Sequence, residues 1–292
     1  MKKILLPLLL CLPLSAAAQG RGRPQAADSL SVASAFSGRD GFDSRSAGFA
    51  SAFGVGRLGG YAFGAAAAAE HRRTWTRGGF PAELYETSLG LRAAGKKWSF
   101  GAGVKSNSDR PYHSASETDL ALDAVTTFRR RGPHSLLFGV NYSSRRSFLR
   151  GVPFPYLSYS YTSERLTIFF PFSLKWKASE SGELSASYFP PRYFSLGYSQ
   201  KLSGALALEL SGGLQLSQYQ LAGRPDKDYS LFLEQPHAGL TTRLAAAGLE
   251  FSLRTAWGFR GRYFSGRQYD DHRASTGVGA GPQLGLNLKK SF

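Results

Sequence analysis

Apolar and polar residues alternate with period two through most of this chain. Trp98, Phe100, Ala102 and Val104 share one face of a segment whose other face carries Lys97, Ser99, Gly101, Gly103 and Lys105. Leu120, Leu122, Ala124, Thr126 and Phe128 oppose Asp119, Ala121, Asp123, Thr127 and Arg129. Leu136, Phe138, Val140 and Tyr142 oppose Ser135, Gly139, Asn141 and Ser143. The clearest run is Leu166, Ile168, Phe170, Phe172, Leu174 and Trp176. Further on, Leu206, Leu208, Leu210, Leu214 and Leu216 face away from Glu209, Ser211, Gln215 and Ser217, and Leu249, Phe251, Leu253 and Trp257 away from Glu250, Ser252 and Arg254. A strand sends successive side chains to opposite faces, so each run predicts a strand with one apolar and one polar side. Each run is about 9–14 residues long, enough to cross a bilayer as a tilted strand. Strands of a soluble sandwich are nearer 5–6 residues.

The connections alternate as well. Short turns are predicted near residues 94–96, 130–133, 163–165, 201–204 and 245–247. Longer connections fall near 70–82, 106–116, 145–155, 221–228 and 261–274, and 177–182 is read as the remaining external loop, a short one. Short turns on one side and long loops on the other are the connectivity of a transmembrane barrel. The expected fold is all-β: a closed antiparallel transmembrane β-barrel of about twelve strands from residue 57 onward. Segments 44–55 and 29–36 make fourteen the alternative. Pro171 lies inside the clearest run, removes a ladder donor and predicts a bulge. Pro190-Pro191 interrupts residues 183–200 and predicts a bend or an extra turn there.

The N-terminus changes the picture of where the chain works. Lys2 and Lys3 precede a short apolar stretch, residues 4–14, and Ala16-Ala17-Ala18 follows as a small-residue cleavage pattern. These are the parts of a secretory signal peptide. Residues 1–18 are therefore read as a cleaved leader, 19–43 as a partly disordered segment and 44–292 as the barrel. The only cysteine, Cys11, leaves with the leader, so no disulfide, thiol nucleophile or thiolate metal site is expected. The formal charge is +16, two of those charges being Lys2 and Lys3. The basic residues form no single stripe, so no nucleic-acid partner is expected.

The last strand ends on Phe292, and Leu284, Leu286 and Leu288 continue its face at every second residue. This ending resembles the assembly signal of the bacterial outer-membrane β-barrel superfamily, with Lys290 departing from the usual apolar residue. The resemblance implies residence in the outer membrane of a Gram-negative bacterium. It also implies partners in membrane lipid, lipopolysaccharide and the barrel-assembly machinery.

Candidate chemistry follows from the faces. Glu86, Arg92, Lys105, Asp119, Asp123, Lys175, Glu209, Glu250 and Arg254 are expected to line the lumen, where charges must be hydrated or paired. Arg72, Arg73, Arg145, Arg146, Arg262 and Arg267 fall in the longer connections and make an external rim suited to anions. Trp75, Trp98, Trp176 and Trp257, with Tyr85, Tyr142, Tyr156, Tyr159, Tyr161 and Tyr263, suit aromatic girdles. Asp119 and Asp123 are about 13 Å apart at strand rise, too far to share a proton. Asp109 with His113, the run Tyr269-Asp270-Asp271-His272, and His71 are the candidates for an external hydrolytic site, with no nucleophile motif beside them. No metal site and no cofactor are expected. The leading function is a passive channel or transport-related barrel for small solutes. The alternatives are an accessory barrel of a surface or secretion complex and, third, an outer-membrane hydrolase.

Overall fold

The computed structural model describes residues 28–189 and 193–292. The leader, Cys11, residues 19–27 and Pro190-Pro191 lie outside them.

Eighteen β segments follow one another. They are β1 (Ser29–Ser37), β2 (Phe42–Leu58), β3 (Tyr61–Thr76), β4 (Glu83–Ala94), β5 (Trp98–Ser108) and β6 (Asp119–Arg131). Next come β7 (His134–Ser143), β8 (Phe154–Thr162), β9 (Leu166–Phe170), β10 (Ser173–Lys177), β11 (Gly182–Phe189) and β12 (Tyr193–Lys201). The last are β13 (Leu206–Tyr219), β14 (Ser230–Ala246), β15 (Leu249–Gly258), β16 (Gly261–Gly266), β17 (Arg273–Val278) and β18 (Gly281–Ser291). All belong to one antiparallel sheet. β1 pairs with β2 on one side and with β18 on the other, from Ser29↔Ser291 to Ser37↔Gln283, so the sheet closes on itself. Closure leaves no unpaired strand edge.

β14 pairs with β15 along its second half and with β16 along its first. β18 and β17 follow in the same way. β15 with β16, and β17 with β18, are each one strand with a break, and the wall has sixteen strands. Glycines flank both breaks. A Cβ on Gly281 would overlap the carbonyl of Gly38, and one on Gly258 would overlap the guanidinium of Arg39. The missing side chains let the β1–β2 connection fold inward, where Gly38 N–H donates to Pro282 O (3.0 Å) and Gly279 N–H to Asp40 O (3.2 Å).

The expected twelve strands, with fourteen as the alternative, are thus too few. β1 and β2 account for the step from twelve to fourteen, and two hairpins account for the rest. Residues 166–176 fold as the hairpin β9–β10, with Ile168↔Leu174 and Leu166↔Trp176. Pro171 sits in its turn, which Phe172 N–H closes onto Phe169 O at 2.7 Å, and makes no bulge. Residues 183–200 likewise fold back on themselves as β11 and β12, with Glu183↔Ser199 and Ser185↔Gly197. Residues 178–181, expected as an external loop, consequently join β10 to β11 at the end of the short turns.

Asp28, the first described residue, and Phe292 lie at that turn end, where Phe292 N–H donates to Asp28 O (2.8 Å). Gly59-Gly60 and Ala247-Gly248 reverse the chain there as two-residue turns with positive φ at both positions. That is the hairpin turn whose twist matches the strands. The outward face is apolar all round: Val32, Phe53, Leu91, Leu122, Leu157, Phe194, Leu210, Phe251 and Leu286 are among its exposed residues. An exposed apolar belt on a closed barrel is the surface of a transmembrane barrel. Leu284, Leu286, Leu288 and Phe292 stand on this outer face, and the Lys290 ammonium lies 4.8 Å from the Phe292 ring centre.

Candidate functional site: lumen and loop-end lid

A sixteen-strand barrel has the bore of an aqueous channel. Here that bore is partly filled, and the filling is the candidate site. The strand register places all nine lumen candidates on the inward face. Lys105 Nζ meets Asp119 at 3.2 Å, Lys175 lies 4.0 Å from Glu183, and Glu209 is ion-paired to Arg243. Glu250 stands opposite Lys289 at the turn-end mouth. Glu86 pairs with Glu70 across β3 and β4, and Arg72 lies 3.7 Å from Glu70 and 3.8 Å from Glu86. Arg92 and Asp123 are deep in the wall beside Gly101.

Toward the loop end the lining turns apolar. Phe42, Phe80, Leu84, Tyr219, Leu231, Leu233, Tyr263 and Val278 form one buried cluster. Phe80 sits at its centre, edge-on to Phe42 at 5.0 Å and to Tyr263 at 5.2 Å. A second patch, Val125, Leu137 and Phe169 with Tyr156 and Phe172, fills the lobe under β6 to β10. Tyr156 and Tyr263, expected in the girdles, therefore serve the interior.

The plug is held by a crossing of the lumen. The end of β13 reaches β4 and β5 on the opposite wall. Gln220 N–H donates to Asn107 O (2.8 Å), Asn107 Nδ2 to Gln218 O (3.3 Å) and Tyr219 OH to Glu86 Oε1 (2.9 Å). Loop 220–229 continues from there. Ala222 N–H donates to Asp109 Oδ1 (2.8 Å), Arg224 Nη1 to Glu117 Oε1 (3.0 Å) and Arg224 Nη2 to Ser116 O (2.6 Å). Arg150 donates to Asp228 O (2.6 Å) and Arg267 O (3.3 Å), and Tyr269 N–H to Ser147 O (3.3 Å). Loops 109–118, 144–153, 220–229 and 267–272 thus form a single lid.

No protein-family model and no curated protein matches this sequence. Solved structures do match it in form. An outer membrane channel from Pseudomonas putida F1 is 12% identical, with 93% of this chain and 97% of that chain covered and a TM-score of 0.39. The Pseudomonas putida toluene transporter TodX is 9% identical, with 98% and 94% covered and a TM-score of 0.40. Pseudomonas aeruginosa OccK5 (OpdH) is 11% identical, with 91% and 98% covered and a TM-score of 0.38.

Most of the arginines expected at the external rim are engaged by the lid and the wall. Arg72 is buried in the lumen. Arg145 donates to Ala115 O (3.0 Å), and Arg146 to Asn141 Oδ1 (2.9 Å) and Val152 O (2.7 Å). Arg262 pairs with Glu234 at 3.1 Å and Arg267 with Asp226 at 3.2 Å. Arg73 lies over Trp75, 5.6 Å from its ring centre. Several acid and histidine residues named as candidates for an external site make contacts within the protein. Asp109 holds Ala222, and Asp271 accepts from Arg273 Nε (3.0 Å). The ring of His272 stands edge-on to Phe264 at 4.5 Å, and His71 stacks on Tyr85 at 4.8 Å.

Glu117 is the pin of the lid. It is fully buried beneath Arg224, with Lys227 at 3.9 Å. Burial alone would push its carboxyl up. Hydrogen bonds from Ser114 and Ser116 and the charges of Arg224 and Lys227 outweigh this and hold it below its ordinary value of 4.5. A depressed carboxyl stabilises the folded state above its unfolded-state pKa and loses that stabilisation as pH falls through the folded-state value. Protease cleavage within loop 220–229 is therefore expected to be slow at neutral pH and to rise only as pH drops below about 4.5. In Glu117→Gln the cleavage should be fast already at neutral pH and lose this pH step. Equal rates in both chains at pH 7 would show that Glu117 does not pin the loop.

Sequence reasoning missed Arg39, His237 and the plug. The parity of Gln235 and Thr241 was the available signal for His237, since it shares their face. Arg39 carries no such signal, because it lies in a turn and outside any period.

Proposed function

We propose that the protein is a Gram-negative outer-membrane barrel for the passage of small polar solutes, closed at its loop end in its resting state. The supporting observation is the inward face: it carries charged side chains, among them Lys105, Asp119, Glu209, Arg243, Glu250 and Arg254, and is stopped at the loop end by a plug that hangs on loops. A wall that only anchored other proteins would gain nothing from a polar bore of this width. The apolar belt matches the membrane, and Phe292 on the outer face suits recognition by the assembly machinery. The signal-peptide reading of residues 1–18 agrees with export. No catalytic role is assigned to the loop acids and histidines; of the acids, Asp109 and Glu117 tie loop 220–229 into the lid.

Planar-bilayer recording tests the proposal. The full barrel is expected to pass little steady current. A chain in which residues 221–228 are replaced by a short Gly-Ser linker should show a steady ohmic conductance. Folding of both is checked by faster gel migration before heating. If the shortened barrel is folded and still carries no current, the transport reading falls. The closed, stitched loop end would then favour the accessory-barrel reading, in which it offers a docking platform.

A further inference from the structure

Below the plug lies a cavity of about 50 Å³ between β1, β2, β3, β13, β14, β15 and β18. One water needs about 10–15 Å³ on the same measure, so the space admits a small polyatomic ion. Its functional lining is Arg72, Arg254, His237 and the amides of Gln215, Gln235 and Gln283, and no carboxylate lines it. Arg254 is only 4% exposed and Arg72 only 3%. In both, Nε and Nη2 have no hydrogen-bond partner among the described residues. The two carboxylates nearest Arg72 stand off at 3.7 and 3.8 Å. Arg39 adds a third guanidinium at the same level. It packs on Gly258, which pairs with His237, and its Nε and Nη2 are also without partners.

A buried guanidinium whose Nε and Nη2 lack a hydrogen-bond acceptor is costly, even where, as at Arg72, carboxylates stand at ion-pair distance. Two lining one space, Arg72 and Arg254, fit a planar or tetrahedral oxyanion, which can accept paired N–H bonds from more than one arginine. The turn-end side of the cavity carries small side chains on three of its strands. Ser31, Ala33, Ala50, Ala52, Ala66 and Ala68 are the inward residues of β1 to β3 on that side, and none reaches far into the bore. We propose that this cavity is a binding site for a small oxyanion, the carboxylate or phosphate group of a solute or the free ion. Arg72 and Arg254 grip it, and the three glutamine amides complete the shell. The site does not depend on the transport reading, because binding can occur in a closed barrel.

Isothermal titration of the folded full chain in detergent, with sodium phosphate and sodium acetate in turn and chloride held constant, tests it. Saturable binding at about one site per chain is expected for at least one of them, and the better ligand identifies the headgroup geometry. Arg254→Gln should weaken binding by about tenfold or more, as loss of a charged hydrogen-bond donor implies. Arg254→Lys should retain part of the affinity. Gln235→Ala should also weaken binding, and it keeps the test open should the arginine variants fail to fold. No saturable heat through the millimolar range, or binding unchanged in Arg254→Gln and Gln235→Ala, overturns the site. The titration needs no conductance, so its failure is distinct from failure of the transport reading.

Discussion

Leu84→Ala is expected to destabilise the folded barrel by about 2–5 kcal/mol, the range for truncating a leucine in a close-packed core. Leu84 is 0% exposed and packs among Phe42, Phe80, Tyr219 and Leu233, residues brought from four other parts of the chain. The hole left by its side chain cannot be closed by the wall, whose strands are fixed by their ladders. The matched control is Leu89→Ala, on the opposite face of the same strand, where the side chain is 57% exposed on the outer face. A leucine facing lipid contributes about 0.3–0.6 kcal/mol to insertion, so this change should be nearly silent. The measurement is the urea midpoint of reversible folding into lipid vesicles, with the slope compared so that a change of mechanism is not read as a change of stability. Equal midpoints for the two variants would mean that the plug is loosely packed and the loop end open.

Gly281→Val should be the second large effect, about 1–3 kcal/mol from overpacking. The new Cβ would meet the Gly38 carbonyl and the Cα of Arg39. That connection has little freedom to yield, since Phe42 N–H donates to Arg39 O (2.9 Å) and Arg39 N–H to Asp43 Oδ1 (3.1 Å). Displacing it should also pull Arg39 from Gly258, so oxyanion affinity should fall together with stability. Gly277→Val is the control, because nothing lies within 4 Å of the position its Cβ would occupy. If both glycine variants melt alike, the inward turn does not depend on the glycine step at Gly281.

Much of the wall was legible in the sequence, because a barrel strand needs only period two and a lipid-facing side. The nine lumen charges could be placed from parity alone. Strand number could not, for a geometric reason. The hairpins β9–β10 and β11–β12 pair residues whose numbers add to an even total: Ile168 with Leu174, Ser185 with Gly197. Residues of one parity then stay on one face on both sides of the turn. The alternation runs on unbroken while the chain reverses, so Leu166 to Trp176 reads as one strand. Only Pro171 and Pro190-Pro191 marked the reversals, and a proline in a strand pattern also fits a bulge or a bend.

What the sequence by itself determined was local: which residues face lipid, which face inward, and where tight turns such as those near residues 94–96 and near Ala247 fall. These depend on side-chain alternation and on φ preferences within a few residues. The tertiary structure decided whether the bore is open. The plug gathers Phe42, Phe80, Leu84, Tyr219, Leu231, Leu233, Tyr263 and Val278 from seven separate segments, and Tyr219 reaches Glu86 across the barrel. Arg72, which sequence position places in an external loop, ends buried below that plug because β3 extends to Thr76 and its parity points inward. Such contacts join residues more than a hundred positions apart, and they exist only once closure of the sheet has brought opposite walls together.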